Sequence, residues 1–184
     1  MRRLGAELGV EAMSLYNHVP SKAALLDGMV ETILGEMPSP GAGGSFSERL
    51  AAMARAFRRA LRAHPGALPL FAMRPAVTPA SLRHVESALG VLRSAGFSPD
   101  ESVSALQVLV TFVVGHTLSQ VGRTAGDEAS RPRYEELSRE EFPHLTEIAP
   151  QLSSHDGELE FEFGLDAFLT GLRAKARRRT STSR

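Results

Sequence analysis

The sequence predicts an all-α chain, and three observations carry that reading. Apolar residues recur three and four positions apart through most of the 184 residues, the spacing of one helix face. Serine, threonine, proline and glycine stand where helices must start and stop. Alternation of the strand type is confined to Glu160-Phe161-Glu162-Phe163, and the Gly-Leu-x-x-Phe-Leu that follows is spaced as a helix.

A short helix ending at Leu8 is broken by Gly9-Val10, and a second short helix is expected from about Glu11 to His18. Pro20 stops the chain and Ser21 is the expected N-cap of a third helix. Its Leu25, Leu26, Met29, Val30, Ile33, Leu34 and Met37 share one face. Residues 38–44, rich in proline and glycine, form a flexible linker between a region 1–37 and a region 45–178. Ser45-x-x-Glu48 is a capping box for a helix whose Phe46, Leu50, Met53, Phe57 and Leu61 align, ending near His64-Pro65-Gly66. A helical turn up to Arg74-Pro75 precedes a helix from Thr78-Pro79 through Ala95, closed by Gly96.

Ser98-Pro99-Asp100-Glu101 caps the next helix, with proline at its first position. That helix is apolar nearly all round, through Val103, Leu106, Val108, Leu109, Val110, Phe112, Val113, Val114 and Leu118. A helix with no wet face needs cover on several sides, and a second subunit is a natural source of it. Residues 122–133 are polar and expected to be mobile, and Ser138-x-x-Glu141 is a candidate cap for a short helix. The last helix, from about Leu159, carries Phe161, Leu165, Phe168, Leu169 and Leu172, and 179–184 is expected to be a disordered tail.

Composition excludes more than it assigns. With no cysteine there are no disulfides, thiolate zinc sites or cysteine nucleophiles. The N-terminus lacks the apolar core of a signal peptide. The most apolar stretch, Ala105 to Leu118, falls short of the ~20 residues that span a bilayer. A soluble, cytoplasmic chain with no membrane partner is therefore expected. The six histidines show no i,i+4 pair, and neither a phosphate loop nor a nucleophile elbow is present, so no catalysis, metal or cofactor is expected. The 21 basic and 21 acidic side chains cancel. Residues 1–37 even lean acidic, with Arg2, Arg3 and Lys22 against Glu7, Glu11, Asp27, Glu31 and Glu36, so charge alone does not point to nucleic acid.

Two short helices around a glycine-containing turn match a helix-turn-helix, although a plain helical hairpin fits the same pattern. In the first reading Leu15 and Val19 anchor the second helix from behind, and Ser14, Tyr16, Asn17 and His18 face outward to bases or phosphates.

The stretch from Arg2 to Asp27 resembles the DNA-binding region of the TetR family of repressors. Its Leu-Tyr-x-His-Val-x-x-Lys-x-x-Leu-Leu-Asp, from Leu15 to Asp27, is highly specific to that family. Ala56-Phe57-Arg58, Ala60-Leu61, His64, Arg74-Pro75, Gly96-Phe97-Ser98, Phe163-Gly164-Leu165 and Gly171-Leu172 extend the resemblance over essentially the whole chain, nearest to the tetracycline-repressor branch. The resemblance implies a homodimeric, ligand-responsive repressor of a palindromic operator. It makes Glu11–His18 the recognition helix, with Ala12, Met13, Ser14, Asn17 and His18 toward the groove. Tyr16 and Lys22 then lie on phosphates, and Arg2 also touches DNA. Tyr16 packed on the first helix, and a structural His18, are the alternative readings. Family members carry one further helix before this point. Without its cover the Leu25–Met37 stripe is left loose, and the chain as it stands is expected to bind operator DNA weakly or not at all. A small-molecule-binding dimer without DNA activity is the corresponding alternative.

The resemblance further implies an effector pocket and a four-helix dimer seam. Met53, Phe57, Leu70, Phe71, Arg74, Leu89, Val103 and Leu106 are the pocket candidates. Leu109, Val113, Leu118, Leu165, Phe168 and Leu172 are the seam candidates, and each could instead be plain core. Tetracycline repressors hold a drug-bound magnesium with a histidine shortly before the Arg-Pro pair. That place is Leu70 or Phe71 here, while Met53 and Ser119 replace the pocket asparagine and the acidic residue. Magnesium requires oxygen ligands in strict geometry, so an apolar, metal-free effector is expected. Calorimetry with tetracycline should accordingly show no binding that depends on added magnesium.

Overall fold

The computed structural model describes residues 1–38, 41, 43–74, 77–125, 133–154 and 156–182. Most of the segment expected to be mobile, part of the linker, Pro75, and residues 183–184 of the expected tail lie outside the described residues. The chain forms α1 (Arg2–Leu8), a 3-10 turn (Ser14–Asn17), α2 (Lys22–Gly35), α3 (Phe46–Ala63), α4 (Leu68–Met73), α5 (Pro79–Ser94), α6 (Pro99–Ala125), α7 (Pro143–Ser153) and α8 (Gly157–Thr182). There is no strand among the described residues. The fold is all-α.

The capping signals act as read. Ser21 accepts from Ala24 N at 3.1 Å and opens α2. At Ser45 the capping box is complete, with Glu48 Oε2 accepting the Ser45 backbone N–H at 2.7 Å. That bond holds the Glu48 carboxyl below its ordinary pKa. Ser98 and Glu101 exchange the same pair of bonds before α6, at 2.8 and 3.2 Å. Gly96 closes α5 with φ 89°, and the N–H groups of Gly96 and Phe97 return to Arg93 and Leu92 carbonyls. This is a Schellman ending, which a side chain at Gly96 would strain.

The chain divides into two compact units, Met1–Gly115 and His116–Arg184. In the first, α5 packs against both α2 and α3. Its core is built from Val30, Ile33, Leu34, Leu50, Leu61, Leu68, Val91, Leu92 and Phe97. Phe46 meets Phe97 edge-on at 5.7 Å. The second unit buries Thr117, Ala149, Phe161, Leu165 and Leu169, and His116 stands edge-on to Phe161 at 5.4 Å. The 38–44 segment therefore joins two parts of one compact unit.

Several expectations need correction. The expected helix from Glu11 to His18 is a turn followed by one 3-10 stretch, Ser14–Asn17. It has no side-chain cap at Met13, and Pro20 follows three residues after its end. The cap expected at Ser138 does not start a helix. Residues 139–141 turn, and α7 begins at Pro143, where proline's missing N–H costs no hydrogen bond. α8 continues to Thr182, into the segment expected to be disordered. Finally, the 24 residues Pro99–Gly122 of α6 are long and apolar enough by length and composition to cross a membrane, a test that the core helix of a soluble protein also passes. The sequence reading undercounted it because Gln107 and His116 interrupt the apolar run without interrupting the helix.

Leu92 is fully buried and Leu82, on the same helix, is half exposed. Leu92→Ala should cost about 2–5 kcal/mol, and Leu82→Ala about 0.5 kcal/mol or less, as read from the midpoints of urea unfolding.

Candidate DNA and effector sites

The turn between α1 and the 3-10 stretch rests on two glycines. Gly9 sits in the left-handed region at φ 67° and ends α1. Val10 N donates to Gly5 O at 2.9 Å and Gly9 N to Ala6 O at 3.3 Å, so the chain folds back over α1. Gly5 is buried beneath that return. A Cβ there would stand 2.7 Å from Val10 O and 3.1 Å from Ala12 N, both backbone atoms. The sequence marks Gly9 as a breaker, whereas Gly5 reads as an ordinary helical residue, and only the return of the chain shows why it has no side chain.

This turn presents the 3-10 stretch with one face outward. Leu15 and Val19 are half-buried, as anchors must be. Met13 is 71% exposed and Tyr16 41% exposed. Asn17, His18, Lys22 and Arg2 are exposed, while Ala12 and Ser14 are half-buried.

The effector candidates separate into two groups. Phe57, Leu70 and Phe71 are half-buried and pack against a cluster of Val30, Leu34 and Ala80, which Met37 also joins. Phe57 and Phe71 meet edge-on at 5.6 Å. Aromatic side chains of α3 and α4 thus lie directly against α2. Arg74, at the end of α4, turns to α2 as well, its Nε and Nη2 donating to Asp27 Oδ1 at 3.0 and 2.5 Å. Met53, Leu89 and Leu106 are half-buried outside that cluster, and Val103 is exposed.

The seam candidates also divide. Leu109, Val113, Leu165 and Leu172 are buried within the chain itself, Val113 and Leu165 at 1% exposure. That burial is what plain core would show. Leu118 is exposed and Phe168 half-buried. Val108 on α6, and Leu159 and Phe163 on α8, are large exposed apolar residues that the sequence reading did not select. An apolar helix reads as all core from its sequence, and only packing shows which side is left over.

The most informative residues missed are acidic. Asp27 and Glu31 lie four positions apart on α2, and Glu36 just beyond its end. Asp27 holds Arg74, Glu31 accepts Ala80 N at 2.6 Å and Arg83 Nη2 at 3.4 Å, and Glu36 meets His64 Nε2 at 3.0 Å. Three of the five acidic groups in 1–37 are thus turned toward α3, α4 and α5. The local acidic excess was the signal, and it marks attachment. The backbone N–H of Ala80 foremost, then Thr78 and Arg83, hold the Glu31 carboxyl below its ordinary pKa, against a smaller opposing effect of desolvation. A carboxyl lowered on folding contributes stability above its ordinary value of 4.5 and loses it as pH falls further.

Residues 37–176 match the family described as Tetracyclin repressor-like, C-terminal domain. Over its whole length the chain is 31% identical to an HTH-type transcriptional repressor, DrrR1, of Streptomyces coeruleorubidus, and spans 73% of that protein. It is 34% identical to the class D tetracycline repressor protein of Escherichia coli, covering 92% of this chain and 78% of the repressor. The fold is similar to that of the Streptomyces coelicolor protein ActR in complex with actinorhodin, with a TM-score of 0.81 and 32% identity. That match covers 96% of this chain and 87% of ActR.

Gly5→Ala should loosen the turn by about 1–3 kcal/mol, as overpacking against rigid backbone does. The expected signature is faster amide exchange at Val10 and through α1, with α3 unchanged.

Proposed function

Because this chain belongs to the TetR family of transcriptional regulators, we propose that it represses transcription as a homodimer on a palindromic operator and is released by a small-molecule effector. One observation carries the reading: the apolar cluster of α3 and α4, where effector candidates gather, is continuous with the buried face of α2. The recognition turn is joined to α2 by only four residues, 18–21. A shift in that cluster therefore has a short path to the DNA.

In this reading 1–37 is the DNA-binding region and 45–178 the effector and dimerisation region. Asn17 and Ser14 hydrogen-bond base edges, Met13 and Ala12 make apolar contacts, and His18 lies in the groove. Tyr16, Lys22 and Arg2 take phosphates. Lys22 stands at the first position of α2, so its charge and the helix's unpaired N–H groups serve the same phosphate. The effector is apolar and needs no metal, since Met53, Phe57, Leu70, Phe71, Leu89, Val103 and Leu106 bring no oxygen ligand. Arg74 serves the connection to α2 through Asp27.

The second copy covers the exposed apolar residues of the second unit, Leu118, Leu159 and Phe163, together with half-buried Phe168. This gives the long apolar α6 a protein partner in place of a lipid one and fits a regulator acting on DNA in the cytoplasm. Half-sites one helical turn apart, about 34–36 Å, demand a fixed spacing of the two recognition turns. An effector that favours another spacing shifts the population away from DNA, and DNA must weaken effector binding by the same factor.

Sedimentation and selection from a random duplex pool test this together. The wild type should sediment as a dimer, and Leu118→Glu with Phe163→Glu should yield a folded monomer. The selected duplex should be palindromic. Lys22→Ala should weaken its binding and lower the log–log salt slope by about one, whereas Asn17→Ala should cost about 1–3 kcal/mol and relax one base position. A monomeric wild type, or a pool with no enriched sequence, would overturn the proposal.

A further inference from the structure

The first turn of α5 is completed by a residue of α2. Four N–H groups at a helix start lack partners within the helix, and here each place can be accounted for. Pro79 has no N–H. Thr78 N donates to Ser81 Oγ at 2.9 Å, and Ser81 N to Thr78 Oγ1 at 3.3 Å. Ala80 N is left over by the local capping box and donates to Glu31 Oε2 at 2.6 Å, across 49 residues of chain. Ala80 is 2% exposed, so water is a poor substitute there, and an orphaned buried amide is costly.

The arrangement is reciprocal. His84, in the next turn of α5, donates from Nε2 to Leu34 O at 2.9 Å, a carbonyl near the C-terminal end of α2 that also accepts Met37 N at 3.1 Å. Each helix thus bonds to an end of the other. One turn before Glu31, Asp27 holds Arg74 at the other side of the α4–α5 junction. Two carboxylates at i,i+4 on α2 grip the junction from both flanks, and Arg83 adds a longer contact to Glu31 at 3.4 Å.

We propose that Glu31 is a positioning residue of the response: its bond to Ala80 ties α2, and the recognition turn ahead of it, to the first turn of α5. The regulatory part of this rests on the function proposed above, while the tie itself does not. A displacement of the start of α5 must either carry α2 with it or break the cap. α2 is thereby held in one orientation until the junction moves.

Amide exchange on the full chain, with Glu31→Ala and Glu31→Gln, tests the tie. Glutamine keeps an oxygen acceptor for Ala80 but removes the charge that Arg83 meets. In Glu31→Ala, exchange at Ala80 and in the last two turns of α2 should accelerate at least tenfold while Leu61 in α3 is unchanged. Glu31→Gln should restore most of the Ala80 protection. Unchanged exchange at Ala80 would overturn the proposal, as would acceleration at Ala80 alone, or a uniform loss across the first unit that glutamine does not rescue. Anisotropy titration of the selected duplex supplies the functional arm. Glu31→Ala should bind at least fivefold more weakly than wild type with its dimer intact, and Glu31→Gln should fall between them. Equal affinity of all three would overturn the role in the response. If wild type selects no duplex, the repressor reading fails, and the exchange results still decide whether Glu31 holds α2.

Discussion

The attachment of α2 is the constraint on which the rest of this molecule depends. A 14-residue helix beginning one turn after the recognition stretch has too little surface to fix its own orientation. It buries Val30, Ile33 and Leu34, and meets Phe57, Leu70 and Phe71 across an apolar contact. Apolar burial is strong but indifferent to direction. Direction comes from the polar contacts around it, Asp27 with Arg74, Glu31 with Ala80, and His84 with the Leu34 carbonyl. Burial holds the helix against α3–α5, and the hydrogen bonds decide how it lies.

The 3-10 stretch Ser14–Asn17 inherits its position from this attachment at one end and from a glycine turn at the other. One 3-10 turn has little stability of its own, so its geometry is imposed by its neighbours. Gly5 and Gly9 let the chain return close over α1, and Ser21 caps α2 immediately after. Strength here lies at the boundaries. The stretch between them can then carry exposed Tyr16, Asn17 and His18 with no duty to a core.

The same division explains α6. Its apolar residues serve two masters: Leu109, Val113 and Val114 go inside, and Val103, Val108 and Leu118 remain outside. A helix of this composition needs cover from a bilayer or another protein surface, and membership of a family of transcriptional regulators favours protein. The apolar residues with surface left over after the single chain has packed are the ones the proposed dimer would cover.

Much of this was legible in the residues alone. The capping boxes at Ser45 and Ser98, the cap at Ser21 and the stop at Gly96 are local hydrogen-bond chemistry, and local chemistry is written in neighbouring residues. So is the helical period, which made the chain all-α, and the Leu15–Asp27 motif, which placed the family. The sequence could not tell which apolar residues of a nearly uniform helix face inward, since that depends on what packs against it. Nor could it show that Gly5 is crowded by Val10, that the 11–18 stretch holds only one 3-10 turn, or that Asp27, Glu31 and Glu36 find partners 28 to 52 residues away. Hydrogen bonds across such separations exist only after burial has brought the helices together. Sequence determined most of the helices and the caps at Ser21, Ser45, Ser98 and Gly96; tertiary structure decided which side chains were left to hold α2.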